Sequence, residues 1–159
     1  MQEKYFLYPS NIVISNRSEW IVTILGSCVA VCLFDPTKAI GSMNHYMLPY
    51  WNGKEKATPK YGNIAIKKII DNMYTAGCQQ QNLKAKLFGG ANINLAADNP
   101  FSINKQNISL ARLILAEYEI PIVSQNVGGF RGRKIQFNPA TGEVRHKFID
   151  STRILRTYT

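Results

Sequence analysis

The sequence predicts an α+β domain with a strand-heavy core. Short runs rich in β-branched and aromatic residues, each bounded by turn residues, fill the first third of the chain and return near its end. Two intervening segments repeat apolar residues at helical spacing. A chain of 159 residues is long enough to bury a core without disulfides, so we expect residues 1–159 to form a single domain.

The elements follow in order along the chain. Strands are predicted at 5–8, 12–15, 20–25, 29–34, 39–48, 84–88, 121–127, 133–137 and 144–148. The first helix follows a polar, turn-rich segment at 49–62, and we expect Asn63 to cap its start and Gly77 to end it. The second helix is predicted at about 105–118, with Asn104 as its cap.

Composition limits the cellular setting. Three cysteines, an odd number without paired spacing, argue against a disulfide framework and for a reducing compartment. No stretch approaches the roughly 18 apolar residues of a membrane-spanning helix. The first residues also lack the apolar centre of a signal peptide. We therefore expect a cytoplasmic protein that is not inserted in a membrane.

The net charge of +9 is compatible with an acidic partner and with simple solubility. Residues 130–159 carry seven lysines and arginines against two acidic residues. Such a bias suits nucleic acid, anionic lipid or an acidic protein surface. The chain has no RNA-binding aromatic signature and no zinc-finger spacing, so we do not expect nucleic acid as the partner.

Cys28 and His45 stand out as a candidate catalytic pair. Residues 29–34 read as a strand, Asp35-Pro36-Thr37-Lys38 as a turn and 39–48 as the returning strand. If Asp35 pairs with Lys38, paired residue numbers sum to 73 and Cys28 faces His45. Directly opposed residues have Cβ atoms about 4.5–5.5 Å apart. A histidine at that distance can supply the base that a cysteine nucleophile needs.

The alternative interpretation of each cysteine is a small buried hydrophobic residue. It suits Cys32, in the middle of a strand, and Cys78, near a helix end. Cys28 differs because Gly26 and Ser27 precede it, and their permissive backbone can point N–H groups at an oxyanion. A metal site formed by Cys28, Cys32 and His45 is disfavoured, because a fourth ligand is missing.

Three further features look purposeful. Thr23 can orient the imidazole of His45 through its hydroxyl, or it is an ordinary strand residue. Two glycine-rich turns lie at strand ends and are either simple turns or loops that contact substrate. Their candidate substrate-contacting residues are Gly89, Gly90, Gly128, Gly129 and Arg131. Neither turn matches a nucleotide-binding loop.

Four blocks of the sequence resemble the CheD family of chemoreceptor glutamine deamidases. They are Leu25-Gly26-Ser27-Cys28-Val29-Ala30-Val31-Cys32-Leu33-Phe34-Asp35-Pro36, then Gly41-Ser42-Met43-Asn44-His45-Tyr46-Met47-Leu48-Pro49, Lys86-Leu87-Phe88-Gly89-Gly90-Ala91, and Gly128-Gly129-Phe130-Arg131-Gly132-Arg133-Lys134-Ile135-Gln136-Phe137 with Thr141-Gly142-Glu143-Val144. The blocks run in the family's order over nearly the whole chain.

The resemblance implies a protein-glutamine glutaminase. Its substrates would be glutamine side chains on the cytoplasmic domain of chemotaxis receptors, with receptor methylesterase activity as a second reaction. The family's cysteine nucleophile, histidine and threonine correspond to Cys28, His45 and Thr23. The implied fold is layered α+β, with a β-sandwich-like mixed-sheet core and two main helices packed outside. No cofactor or metal is implied.

The resemblance also leaves a non-catalytic alternative. A protein of this kind can act as a chemotaxis adaptor that binds receptors or a CheC-type phosphatase by docking alone. The presence of Cys28, His45 and Thr23 together favours the enzyme.

Overall fold

Two β-sheets stack face to face, and two helices cover the outer face of one of them. The computed structural model describes residues 3–93 and 99–150. Its strands are β1 Lys4–Phe6, β2 Ile12–Ser15, β3 Trp20–Leu25, β4 Val29–Asp35, β5 Ile40–Asn44, β6 Lys84–Gly89, β7 Ile122–Val127, β8 Gly132–Phe137 and β9 Val144–Ile149. The helices are α1 Gly62–Thr75 and α2 Ile103–Glu117, with a short 3-10 turn at Gln80–Asn82. The predicted layered α+β class is confirmed.

Both sheets mix parallel and antiparallel pairs. The four-stranded sheet has the order β1-β3-β8-β9 and the five-stranded sheet the order β2-β5-β4-β6-β7. β1 runs parallel to β3 and β6 parallel to β7, whereas the other neighbours are antiparallel. β4 therefore lies in the middle of the five-stranded sheet.

The central strand β4 contributes to two cores at once. Ala30, Cys32 and Phe34 face the four-stranded sheet. Val29, Val31 and Leu33 face the helices. Because successive side chains of a strand point to opposite faces, burial on both sides requires the continuous apolar run seen in the sequence. The prediction that Cys32 is a core residue is confirmed, since its side chain is fully buried.

Helix α1 packs through most of the apolar stripe that its periodicity predicts: Ile66, Ile69, Ile70 and Met73 are all fully buried, whereas Tyr74 at the end of the stripe is exposed. Gly77 follows the C-cap Ala76 with φ of +92°, so its predicted role at the helix end is confirmed.

The two predicted N-caps are wrong by two residues each. The caps are Tyr61 for α1 and Ser102 for α2. Asn63 and Asn104 lie inside the first turns, where their side chains bond to other segments: Asn63 Oδ1 accepts the N–H of Trp51, and Asn104 Nδ2 donates to the carbonyl of Gly90. Tertiary partners have drawn these side chains away from their own helix ends.

Two sequence expectations concern the wider molecule. None of the helices within 3–93 and 99–150 is long and apolar enough to cross a membrane. In the basic C-terminal segment, Arg133 is buried rather than displayed, while Arg131, Arg145 and Lys147 are exposed. Arg153 and Arg156 lie outside the described residues.

Candidate active site

The β4–β5 hairpin turns through a longer loop than the sequence suggested. Asp35 pairs with Ile40, and its carboxylate accepts the backbone N–H of Thr37 at 2.8 Å. Ala39 takes a φ of +54°, which completes the reversal. Paired residue numbers therefore sum to 75 rather than the expected 73, so the predicted register is wrong by two residues.

The error leaves Cys28 and His45 on the same face, because side chains alternate with a period of two. Each residue lies one place before a member of the Val29–Tyr46 bridge, so the two are diagonal neighbours rather than directly opposed. Diagonal residues on an antiparallel pair have backbones about 7–8 Å apart, within reach of long side chains. The side chain of Cys28 packs against the core between the sheets.

β5 leaves the regular ladder just before His45. The N–H of Val31 bonds at 2.8 Å to the side-chain oxygen of Asn44, where a regular ladder would use the carbonyl. The carbonyl of His45 accepts the N–H of Ser10 at 2.8 Å. These bonds fix the backbone on both sides of His45, whose side chain is fully buried.

A hydrogen-bonded chain across the two sheets defines the form of the imidazole. Thr23 Oγ1 of β3 lies 2.7 Å from the carbonyl oxygen of Leu7 and 2.7 Å from Nδ1 of His45. A carbonyl only accepts, so the single hydroxyl hydrogen of Thr23 points at Leu7. The hydroxyl oxygen must then accept the hydrogen of His45 Nδ1. The neutral ring consequently carries its lone pair on Nε2, the nitrogen that can act as a base.

Burial keeps both members of the candidate pair neutral. It lowers the pKa of His45 to about 3 and raises the pKa of the Cys28 thiol to about 11, although the N–H of Cys28 itself lowers the latter. Removing a group from water penalises its charged form, which is imidazolium for His45 and thiolate for Cys28. At neutral pH the resting site therefore holds a thiol and a neutral imidazole rather than an ion pair.

A cavity of about 440 Å³ opens beside Cys28. Its described lining comes from the loop before β4, the segment after His45, Lys60, the segment after β6 and the start of α2. The residues are Ser27, Cys28, Met47, Leu48, Lys60, Ala91, Asn92, Ile93, Ser102, Ile103 and Asn104. A side chain from another protein can thus approach the sulfur from solvent.

Known proteins resemble this chain over most of its length. Residues 47–148 match the family described as CheD chemotactic sensory transduction. The chain belongs to the CheD family. It is 46% identical over 151 residues to a probable chemoreceptor glutamine deamidase CheD of Sulfurimonas denitrificans, covering 94% of this chain and 97% of that one.

Further CheD relatives match at similar length. A probable chemoreceptor glutamine deamidase CheD of Trichlorobacter lovleyi is 45% identical, over 89% of this chain and 88% of its own. A probable chemoreceptor glutamine deamidase CheD 1 of Anaeromyxobacter dehalogenans is 37% identical, over 86% of this chain and 80% of its own. A solved hypothetical protein of Bacillus licheniformis, YfiH, aligns with a TM-score of 0.47 at 12% identity, over 74% of this chain and 49% of that one.

In this CheD-family chain, Gly89 and Gly90 contact the backbone of Cys28. Gly89 has a φ of +105°, and a Cβ at this position would lie 2.3 Å from the carbonyl oxygen of Cys28. The N–H of Gly90 donates to that oxygen at 2.9 Å, and the N–H of Ala91 donates to the carbonyl of Gly26 at 2.9 Å. The glycine turn after β6 therefore holds the Cys28 loop in place from the neighbouring strand.

The second glycine turn supports the first. The N–H of Gly128 donates to the carbonyl of Gly89 at 2.9 Å, and the guanidinium of Arg133 donates to the carbonyl of Gly128 at 2.9 Å. Gly129 accepts the N–H of Asn92, a cavity residue. Arg131 is exposed and lies over the ring of Phe148, with 4.7 Å between its Cζ and the ring centroid.

The loop from Gly26 to Cys28 presents backbone donors. Within 3–93 and 99–150, the N–H groups of Ser27 and Cys28 donate to no carbonyl or side-chain oxygen. Both residues line the cavity. These two N–H groups are therefore the candidates for the kind of backbone donor that stabilises a developing oxyanion.

Sequence reasoning missed Asn107, which is fully buried on α2. Its side-chain amide donates to the carbonyls of Ser27 and Met47, both at 3.1 Å. An asparagine on the apolar face of a predicted helix is the one signal that was available, because a buried amide must find partners.

Among the residues that the structure describes, no three His, Cys, Asp or Glu side chains converge as metal ligands.

Proposed function

We propose that this protein hydrolyses specific glutamine side-chain amides on the cytoplasmic domain of chemotaxis receptors, in the cytoplasm, with Cys28 as the nucleophile. One observation carries the proposal: the Thr23–His45 hydrogen bond at 2.7 Å, which leaves the basic ring nitrogen on a histidine diagonal to a cavity-lining cysteine. The CheD relatives, named as probable chemoreceptor glutamine deamidases, suggest the reaction and the substrate. The chemistry needs no cofactor.

In the first half-reaction, His45 Nε2 takes the proton of Cys28 as the sulfur attacks the glutamine carbonyl carbon. Because the resting pair is neutral, we expect proton transfer and attack to occur together. The N–H groups of Ser27 and Cys28 stabilise the oxyanion of the tetrahedral intermediate. The imidazolium then protonates the departing nitrogen, and ammonia leaves behind a thioester.

In the second half-reaction, His45 removes a proton from water as the water oxygen attacks the thioester carbonyl. The carbon–sulfur bond breaks, Cys28 regains its proton from His45, and a glutamate side chain is released. A receptor glutamyl methyl ester would pass through the same thioester, with methanol leaving in place of ammonia. Methylesterase activity is therefore part of the proposal.

The test is mass spectrometry of a receptor cytoplasmic fragment after incubation with the purified protein. We expect conversion of glutamine to glutamate at defined sites with the wild type and none with Cys28→Ala. Cys78→Ala is the matched control, because this thiol is buried on the far side of β4, among the residues that pack against the helices. Conversion by Cys28→Ala would refute the mechanism.

The same fragment distinguishes the adaptor alternative. Binding of the fragment by both wild type and Cys28→Ala, without any conversion, would favour docking to receptors as the function. A CheC-type phosphatase offered in place of the fragment tests the second docking partner in the same way.

A further inference from the structure

The strand pair β4–β6 lacks one of the hydrogen bonds that its geometry calls for. Cys28 lies opposite Gly90, one place beyond the Val29–Gly89 pair. The N–H of Gly90 donates to the carbonyl of Cys28 at 2.9 Å. In an antiparallel ladder such a pair exchanges two bonds, so the N–H of Cys28 would normally donate to the carbonyl of Gly90.

The carbonyl of Gly90 accepts a hydrogen bond from helix α2 instead. Asn104 Nδ2 donates to the carbonyl of Gly90 at 3.1 Å. Gly90 has a φ of +71°, a left-handed conformation that glycine adopts readily and that turns its peptide groups out of the regular ladder. The N–H of Cys28 consequently keeps no ladder partner, although Cys28 lies directly before the middle strand of the sheet.

Asn107 fixes the direction in which this N–H points. Its amide holds the carbonyl of Ser27, which belongs to the same peptide unit as the N–H of Cys28. In a trans peptide the two groups point in opposite directions. The neighbouring peptide obeys the same rule, because the Cys28 carbonyl bonds to Gly90 while the N–H of Val29 bonds on the other side, to Tyr46.

We propose that Asn104 and Asn107, the asparagine pair of α2, keep the Cys28 N–H available as the oxyanion donor of the acylation step. Both are positioning residues, since Asn107 orients the donor peptide and Asn104 removes its competing acceptor. Their spacing of three residues places both amides on one face of α2. The inference rests on the proposed nucleophile Cys28, and it does not depend on which substrate the protein uses.

Two reagents separate an oxyanion effect from a general loss of structure. p-Nitrophenyl acetate acylates the thiol through a tetrahedral oxyanion and releases p-nitrophenol. Iodoacetamide alkylates the same sulfur by displacing iodide at a saturated carbon, which forms no oxyanion. Subtracting the rates of Cys28→Ala isolates the reaction at Cys28. Neither reagent requires the receptor, so the result is independent of whether receptor deamidation itself is observed.

The variants are Asn107→Ala and Asn104→Ala, with Asn138→Ala as the matched control. Asn138 is also a buried asparagine with side-chain hydrogen bonds, but it lies at the end of β8 in the other sheet. Loss of an oxyanion donor costs about 100-fold or more in rate, and we expect a fall of this order in acylation for Asn107→Ala. We expect a smaller fall for Asn104→Ala, and none for Asn138→Ala.

Alkylation should proceed at the wild-type rate in all three variants. Acylation and alkylation falling together would overturn the proposal, because the asparagines would then only hold the sulfur in place. Unchanged acylation in both α2 variants would overturn it as well. If Asn107→Ala does not fold, Asn107→Leu preserves the volume without the amide. If neither folds, Asn104→Ala alone decides.

Discussion

Replacing Thr23 with valine tests the assignment of the imidazole tautomer. Valine has nearly the shape of threonine, so the substitution leaves no cavity at this fully buried position. It removes the oxygen that lies 2.7 Å from both the Leu7 carbonyl and His45 Nδ1. His45 then loses the acceptor that selects the Nδ1–H form, and a buried N–H is left without that bond.

The magnitude follows from the cost of an unsatisfied buried donor, about 1–3 kcal/mol. If the ring hydrogen instead moves to Nε2, returning it to Nδ1 before the ring can act as a base costs the same free energy. At 1.36 kcal/mol per tenfold in rate, kcat/KM for deamidation should fall by about 5- to 150-fold. Thr23→Ser keeps the hydroxyl, so it should retain the rate at a stability cost of about 1 kcal/mol for the lost methyl group.

The assay combines ammonia release from a receptor fragment with ¹⁵N NMR of the His45 ring. In the wild type we expect the hydrogen on Nδ1 at neutral pH, and in Thr23→Val a shift of the hydrogen toward Nε2. A Thr23→Val protein with the wild-type rate and an unchanged ring spectrum would show that the hydroxyl does not select the tautomer.

Three more predictions concern pH, backbone and charge. Because burial lowers the pKa of His45 to about 3, the free energy of unfolding should fall as pH drops from 6.5 toward 3, as measured by urea denaturation. Gly89→Ala, whose Cβ would lie 2.3 Å from the Cys28 carbonyl, should cost more than about 3 kcal/mol. Gly128→Ala, with open space around its φ of +79°, should cost only about 1–2 kcal/mol in the same titration. Arg133→Lys should lower the free energy of unfolding by about 2 kcal/mol, because an ammonium cannot reproduce the guanidinium bonds to Asn126 and Gly128. Equal stability of the two alanine variants, or of Arg133→Lys and the wild type, would contradict the reasoning.

The elements of the fold were predictable because their signals are local. The apolar run of β4 and the helical spacing of α1 each reflect burial of whole faces, and the observed bounds differ from the predicted ones by only a few residues. The register of the β4–β5 hairpin was harder to predict. The Asp35–Thr37 hydrogen bond does not by itself fix the length of the turn, whereas the positive φ of Ala39 accompanies the pairing of Asp35 with Ile40. Alanine has no preference for a positive φ, so the sequence does not predict this conformation at Ala39.

The candidate site was likewise only partly predictable from the sequence. Cys28 and His45 lie on the same face despite the register error only because the error was an even number of residues, and they are diagonal rather than directly opposed as predicted. The sequence suggested only a helix cap for Asn104 and no role for Asn107, since the partners of both side chains lie on other segments of the chain. The carbonyls of Gly90 and Ser27 that accept these amides are 14 and 80 residues away in the sequence.

The hydrogen bond between Thr23 and His45 joins the two sheets, because Thr23 belongs to β3 of one sheet and His45 follows β5 of the other. The proposed base therefore receives the Thr23 hydrogen bond that sets its tautomer only when the two sheets are packed together. A nascent chain, a proteolytic fragment or a partly opened intermediate that exposes Cys28 would hold a thiol without its prepared histidine. In the proposed mechanism, reactivity at Cys28 should thus appear during biosynthesis only when the two sheets dock.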